Sequence, residues 1–559
     1  MRNEQGLAMK LLKIVISVLL IAATAALVFQ IYHLNILPTN LLIPIDLLIV
    51  LFVIVLLFAL NFSVRRAFSS VLMLIITTCI ALSFGLGSMY LMYTFDTLSD
   101  VSGKTGGNVR NNICVVTLAN SSYEELSDLE GKKVGTLNKL DEVSTKGIKK
   151  DIKKKEINLS YKKYDAVQAE VDALYEGEVE AIILNRVYFD SVAEIEGYET
   201  FNTDIKTLYT YSYYSKEANE PLVVSDVTTN PFTILISGND SYGKVEDVAR
   251  SDVNLLVTVN PVTSTVLMTS LPRDMYVPMV CEDGACPVGA YDKLTHTGMY
   301  GTDTTIQTIQ QMLNIDINYT FRVNFSSAID IVDTLGGIDV FIEEGFEVEH
   351  FFVDGSDGVK AGWNHLDGKR ALAFCRERKA YLDGDFQRAR NQQQALQAII
   401  KKAISSDMLM NYTDLLKIMK GAFETNMSMD EITSLLRFEL QTMPDWKFEN
   451  YVIMGEPDVM ACASMGNLGA SVIVPDEYSV GIAHDKIEAV LNGESSETVV
   501  DESGIEAAGS NPDYDYNAAV IEELIAQGYS DYEIELYFQG LLDMGDQTDT
   551  YHEEGIPSE

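Results

Sequence analysis

Positive charge is what this chain has least of. Its 559 residues hold 41 Lys and Arg against 81 Asp and Glu, a formal net charge of −40 and a pI near 4.4. Binding along a nucleic-acid duplex needs a basic face that neutralises phosphates, so that class is excluded. Cysteine is scarce as well. Six residues, at 79, 114, 281, 286, 375 and 462, are too few and too scattered for a disulfide scaffold. Cys281 and Cys286, with four residues between them, either pair in an oxidising compartment or stay free thiols. No His or second Cys pair accompanies them, which argues against a zinc site. From Glu494 to Glu559 there is no Lys or Arg at all against 18 acids. Such a composition predicts partial disorder, with two amphipathic stretches at 518–527 and 531–544 as candidate helices. Repulsion from that tail would keep the protein off anionic polymer.

What is abundant comes first in the chain. Apolar runs at about Leu11–Tyr32, Leu41–Leu60 and Val71–Phe95 are each near the roughly 20 residues needed to cross the hydrocarbon. A cleaved signal peptide is the alternative for the first run, and the two spans that follow favour an anchor. Arg2, Lys10 and Lys13 precede the first span and Arg65 and Arg66 lie between the second and third, while loop 33–40 has no Lys or Arg. The positive-inside rule then predicts a multi-pass cell-membrane protein with a cytoplasmic N-terminus and everything after about residue 96 outside.

Residues 111–220 alternate strand and helix patterns, as one lobe of a periplasmic binding protein does. The eight lysines within Lys146–Lys163 would contact anionic polymer or form a solvated helix face. Beyond Pro231 the texture changes. Strands are expected at Phe232–Ile236, Val253–Val259 and Val266–Leu271, followed by helices at Thr302–Leu313 and Phe325–Leu335 and a strand at Ile338–Ile342. This is an α/β/α layering with charged groups at strand ends, where open α/β sheets place their sites.

Against the acidic background, Lys369 to Arg390 carries seven basic residues and three acidic ones. Ala371 to Arg378 reads as a strand, so alternation puts Arg376 and Arg378 on one face. A helix beginning near Asp385 puts Arg388 and Gln392 on one face at i, i+4. Guanidinium groups that converge in this way call for a phosphate-like anion.

The ordered set GND, ARSD, SLPRDMYV, VDTLGGIDV, LDGKRALAFCRER and GDFQRARNQQ resembles the LytR-CpsA-Psr family of cell-wall phosphotransferases over roughly residues 230–490. With its first exterior domain the chain is similar to capsule-type members that carry an accessory domain. The resemblance implies an α/β protein with three N-terminal transmembrane helices (1–100), a small α/β accessory domain (108–222), an α/β/α LytR-CpsA-Psr catalytic domain (228–493) and the acidic tail (494–559). It also implies a function: transfer of an anionic glycopolymer, of capsule or teichoic-acid type, from a polyprenyl-pyrophosphate carrier to peptidoglycan through a phosphodiester. The partners are then lipid-linked polymer, peptidoglycan and the membrane.

Phosphoryl transfer from a diphosphate donor needs charge neutralisation and in-line positioning more than covalent chemistry. Arg250, Arg273, Arg376, Arg378 and Arg388, with Gln392, are the expected diphosphate ligands. Arg273 with Asp274 also reads as a structural ion pair. Asp240 and Asp252 are the expected Mg²⁺ ligands, each alternatively a turn Asp bonding its own backbone. Asp385 resembles the family's acid before the Arg helix and is a candidate general base, although it stands where a helix cap belongs. Cys375 and Asn391 depart from the family pattern, which often has Tyr or another large residue at the first and Arg at the second. For the isoprenoid tail, Ile306, Ile309, Leu313, Phe325, Ile329, Val332, Leu396, Ile399 and Ile400 lie on helical faces that could line a tunnel or form ordinary core. Two rival readings are a polyprenyl-pyrophosphate hydrolase with water as acceptor and a membrane-bound regulator of wall synthesis. The second needs a cytoplasmic effector domain, for which the short N-terminal segment leaves no room.

Overall fold

The computed structural model describes residues 2–37, 39–63, 67–103, 108–138, 140–195, 197–216, 221–239, 248–281, 286–403, 423–465 and 468–501. Asp240, the expected second metal ligand, lies outside these residues, and so do the two candidate helices of the acidic tail.

Three long helices open the chain: α1 (Arg2–Leu34), α2 (Thr39–Phe58) and α3 (Ala67–Val101). All three are long and apolar enough to cross a membrane, over Met9–Leu34, Leu41–Asn61 and Ser69–Val101. Large apolar side chains such as Leu47, Leu48, Leu82 and Leu86 point outward and are more than half exposed, which suits a lipid solvent and no other. Two hydrogen bonds dock the α/β part against one end of this bundle. The Arg437 guanidinium donates to the Asn35 carbonyl at 3.1 Å, and Gly103 N donates to the Met427 carbonyl at 2.7 Å. The α1–α2 turn and the end of α3 therefore share a side with the α/β domains.

The first α/β unit is a five-stranded sheet of β1 (Asn108–Leu118), β2 (Lys133–Leu137), β3 (Ser160–Tyr164), β4 (Ala181–Asn185) and β5 (Ile205–Lys216). Its order is β3-β2-β4-β1-β5, with parallel pairs around β2 and antiparallel ones around β1. Helices α4 (Glu142–Lys154) and α5 (Val167–Tyr175) cover its faces, and the short α6 (Phe189–Ala193) follows β4. Every residue of β4 is buried, as expected of a central strand covered on both faces.

The second unit is a six-stranded sheet. It contains β6 (Phe232–Asn239), β7 (Ser251–Asn260), β8 (Thr265–Leu271) and β9 (Tyr319–Asn324). The later helices α7 (Thr302–Leu313) and α8 (Phe325–Thr334) flank β9 in sequence, and a two-stranded ribbon pairs β10 (Ile338–Ile342) with β11 (Gly362–Leu366). Then come α9 (Gly368–Arg376), α10 (Asp385–Ala403), β12 (Phe423–Thr425), α11 (Met429–Thr442), β13 (Lys447–Val452), β14 (Gly455–Cys462), β15 (Leu468–Pro475) and α12 (Glu477–Leu491). The six-stranded order is β12-β9-β6-β7-β8-β13. The antiparallel meander β6-β7-β8 sits at its centre, so the end of β6, the start of β7 and the end of β8 come together at one edge.

The two faces of this sheet differ. On one, Leu235, Leu256 and Leu267 pack with Ile309, Leu313 and Ile487 into a closed core under α7 and α12. On the other, Leu255, Val257, Val266 and Met268 pack with Leu396, Trp446 and Phe448. There Ile234, Ile236, Val253, Phe321 and Val323 all remain partly accessible, although their strands are central. Central sheet residues normally lose all contact with water, so this apolar face is incompletely covered. Ile306, Ile309 and Leu313 lie on the opposite face and are core; Val332 and Ile399 belong to a third cluster with Ile338 and Phe374.

Ala371–Arg378 is not a strand. Residues 368–376 form α9, capped by the Asp367 carboxylate, which accepts from Arg370 N at 2.9 Å. The buried Ala371 and Phe374 are three residues apart, a helical spacing, whereas Ala371 and Ala373 taken alone also suit alternation. Cys281 and Cys286 are disulfide-bonded. Where α9 starts, a Cβ on Gly368 would sit 2.4 Å from the Ile329 carbonyl oxygen and 2.9 Å from Asp333 Oδ1. Gly368→Ala is therefore expected to force α9 off α8 and cost about 1–3 kcal/mol, read as a lower melting temperature by calorimetry.

Candidate active site

The edge where β7 starts and β8 ends is polar and buried. Asp252, the second residue of β7, is 6% exposed, and Arg250 just before the strand is 6% exposed. Arg273, two residues beyond β8, returns across the edge and donates from Nη1 to Asp252 Oδ2 at 2.9 Å. Thr295 Oγ1 donates to the other carboxylate oxygen at 2.9 Å. Arg388, 7% exposed on the first turn of α10, completes the cluster. Its Nη2 lies 3.4 Å from the Asp252 carbonyl and 3.8 Å from Oδ2. Burial by itself would raise the Asp252 pKa; Arg273, Arg250 and Arg388 outweigh it and hold the carboxyl well below the usual range. Arg388 is pulled below its ordinary value by burial and by Arg273 beside it.

Arg378, in the loop after α9, reaches Asp385 from the other side, Nη1 to Oδ2 at 3.8 Å. Asp385 Oδ1 is 4.0 Å from Arg388 Nη1. That oxygen is buried and accepts no hydrogen bond. Asp385 is the first helical residue of α10, not its cap; Gly384, with φ +40°, precedes it. The acid is one position too late to cap the helix, and it faces the arginines. Arg388 Nε and Arg273 Nε are also buried without a hydrogen-bond acceptor. Orphaned donors and an orphaned acceptor at one spot are unusual in a folded interior, and they suit a ligand with many oxygens.

Two expected members stand apart. The Arg376 guanidinium lies over the Phe325 ring, 4.6 Å from its centroid, and has no ion pair among the described residues. Gln392 donates to the Cys375 carbonyl at 3.2 Å and so ties α10 to the end of α9. Asn391 does similar work, donating to the Phe374 carbonyl at 3.1 Å. Its smaller amide is a buried staple at a position where an arginine would face the same helix.

Three participants had no sequence signal. Thr295 is one. Lys293, 5% exposed, lies 3.1 Å from Asp274 Oδ1. Arg273 Nε is 3.6 Å from Asp274 Oδ2, so Arg273 serves both acids. The third is Glu194, one residue beyond α6 in the first α/β unit. Its carboxylate contacts Arg250 at 2.6 Å, Lys293 at 3.5 Å and Arg273 at 3.8 Å. Burial acts to raise its pKa, and Arg250, Lys293 and Arg273 bring it down to about 2.

Asp252 is a hard oxygen donor, and each of its oxygens keeps a second lone pair beside the hydrogen bond it accepts. No group of three or more His, Cys, Asp or Glu that could hold a metal occurs among the described residues. This donor set fits Mg²⁺, which one or two carboxylates hold together with substrate phosphates, and does not fit an ion that needs an all-protein cage.

Comparison with known proteins bears on the family. The profile of the LytR_cpsA_psr family matches residues 198–454, and a profile described as NMT1/THI5 like matches residues 106–225. A curated relative from Bacillus anthracis (strain CDC 684 / NRRL 3495), polyisoprenyl-teichoic acid--peptidoglycan teichoic acid transferase TagU, is 34% identical over 246 residues, 40% of this chain and 75% of the relative. The corresponding transferase TagT of Bacillus subtilis (strain 168) is 35% identical over 219 residues, 38% of this chain and 65% of the relative. The crystal structure of B. subtilis TagT aligns with a TM-score of 0.38 and 26% identity over 49% of this chain and 98% of that one. With a family profile across the clamp and relatives matched over three quarters of their length, the chain belongs to the LytR_cpsA_psr family.

Proposed function

We propose that this protein transfers an anionic glycopolymer from a polyprenyl-diphosphate carrier to a hydroxyl of peptidoglycan. One observation carries the reading: Arg250, Arg273, Arg378 and Arg388 converge from four separate segments on the edge that holds Asp252 and Asp385. Arg250, Arg273 and Arg388 are buried, and the acids beside them leave several guanidinium N–H groups for an anionic ligand. The relatives' activity, transfer of teichoic acid from a polyisoprenyl carrier to peptidoglycan, supplies the substrate class.

On this reading the reaction runs as follows. The arginines grip both phosphates of the donor and hold the bridging oxygen in line with the incoming hydroxyl. The acceptor oxygen bonds to the phosphorus that carries the glycopolymer, the bond from that phosphorus to the bridging oxygen breaks, and polyprenyl phosphate departs with the electron pair. The hydroxyl proton passes to Asp385. Asp252, with Asp240, would hold Mg²⁺, which supplies charge neutralisation on the phosphates when bound.

We assign the carrier's tail to the incompletely covered sheet face. Ile234, Ile236, Val253, Phe321 and Val323 lie on it, partly accessible below α10. On α10, Leu396 and Ile400 are likewise half-buried, and α11 carries Leu436 at 39% exposure. The same α11 bonds Asn35 of the membrane bundle through Arg437, which supports a path for the tail from the bilayer. The outer-face location and capsule-type polymer remain part of this reading.

The purified full-length protein in detergent, given labelled lipid-linked polymer, is expected to move label to peptidoglycan fragments and leave polyprenyl phosphate. Label released to water alone, with acceptor present, would replace this proposal with the hydrolase reading.

A further inference from the structure

The accessory domain contributes one acid to the catalytic cluster. Glu194 follows α6, whose Phe189 and Val192 are buried in the accessory core beside Phe201. From there its carboxylate crosses to the catalytic domain and meets three cations. Oε1 lies 2.6 Å from Arg250 Nη1 and 3.8 Å from Arg273 Nη2, and Oε2 lies 3.5 Å from Lys293 Nζ. Arg250 and Lys293 are 6% and 5% exposed, whereas the Glu194 side chain keeps 32% of its surface in solvent. The cations form the floor and the carboxylate enters from the open side, the side from which a ligand would arrive.

Two of these three cations already have an acid of the catalytic domain. Arg273 already has Asp252 at 2.9 Å, and Lys293 already has Asp274 at 3.1 Å. To a guanidinium, a carboxylate and a phosphoryl group present the same pair of acceptor oxygens. We propose that Glu194 is a resident anion, supplied by the accessory domain, that fills one phosphoryl position of the arginine clamp and must be displaced when the diphosphate donor binds. The ligand's identity as a diphosphate rests on the function proposed above; the competition itself does not.

Two consequences follow. A phosphoryl oxygen and the Glu194 carboxylate cannot both hold Arg250 Nη1, because like charges a few ångströms apart repel strongly in a poorly solvated site. Donor binding and accessory-domain docking are then reciprocally linked, each weakening the other by the same factor. Glu194 leaves either by swinging its side chain into solvent or by carrying the accessory domain with it, and any ligand of that domain that favours the docked position would hold the clamp shut.

The test uses the full-length protein in detergent and titrates it with inorganic pyrophosphate by calorimetry. Glu194→Gln removes the charge and keeps the size; it is expected to bind pyrophosphate at least about fivefold tighter than the wild type. Glu194→Asp, shorter but still charged, should fall between them. Asp190→Asn is the control on α6, since Asp190 faces away and accepts from Asn202 Nδ2, and its affinity should match the wild type. Equal or weaker binding by Glu194→Gln overturns the proposal, because Glu194 would then be holding the cations in place for the ligand. Absence of pyrophosphate binding in both proteins overturns it too. Polymer transfer is measured separately, so a protein that shows the affinity gain but transfers nothing would refute the function and leave the competition standing.

Discussion

Asp252→Ala is expected to lower transferase kcat/KM by at least about 10³-fold and to destabilise the catalytic domain by roughly 3–5 kcal/mol, the usual result of removing one partner from a buried charge pair. The carboxylate binds Arg273 through one oxygen and Thr295 through the other and lies 3.8 Å from Arg388. Removing it leaves Arg250, Arg273 and Arg388 to repel one another in a site too dry to screen them. Asp252→Asn separates the two effects. It keeps the volume and the acceptor for Thr295, so it should melt closer to the wild type while turnover stays down. In the absence of divalent cation both variants should bind inorganic pyrophosphate at least as well as the wild type, because an anion loses a repulsive neighbour. Turnover within tenfold of the wild type in Asp252→Asn would remove Asp252 from the catalytic machinery altogether.

The central meander and its flanking helices were legible because their patterns are long and unambiguous. Thr302–Leu313 and Ile338–Ile342 fall where the periodicity puts them, and β6 to β8 begin and end within a few residues of the expected limits. The final helix starts at Glu477, where the Asp476 side chain accepts from Tyr478 N. The region around Arg376 was misread for a physical reason. A run with small residues at Ala371 and Ala373 and one large apolar residue at Phe374 satisfies both a two-residue and a three-to-four-residue period. The capping Asp367 decides it. That reassignment moves Arg376 onto Phe325 and leaves Arg378, in the loop, to reach Asp385.

Other parts of the site were beyond any one-dimensional pattern. Glu194 joins Arg250 across 56 residues of chain and a domain boundary. Lys293 and Thr295 are set by a short strand and turn whose residues have no signature of their own. Which of the tail-binding candidates are ordinary core was not legible, because helix faces alone cannot say which side of a sheet they cover. Ile309 and Leu313 cover the closed side, and Leu396 the open one.

Asp385→Asn should lower kcat by about 10²- to 10⁴-fold, the usual span for a lost general base, while leaving KM for the lipid donor within about twofold. The argument starts from position. Asp385 opens α10 with its carboxylate between Arg378 at 3.8 Å and Arg388 at 4.0 Å, yet Oδ1 accepts no hydrogen bond. The two guanidinium groups fix the carboxylate without consuming that oxygen, which leaves a free acceptor beside the phosphate position where a hydroxyl must come in. Phosphoryl transfer through a loose transition state asks for the proton late, so an acid held by arginines is base enough. Asn keeps the shape and still offers an oxygen to Arg378, but it cannot take a proton. A purely structural role predicts the opposite pattern: a raised KM, a lower melting temperature and a kcat within threefold of the wild type. Rescue distinguishes them further, since Asp385→Glu should recover part of kcat if proton acceptance is what the position supplies. An unchanged kcat in Asp385→Asn would assign proton removal to solvent and reduce Asp385 to the counter-ion of Arg378.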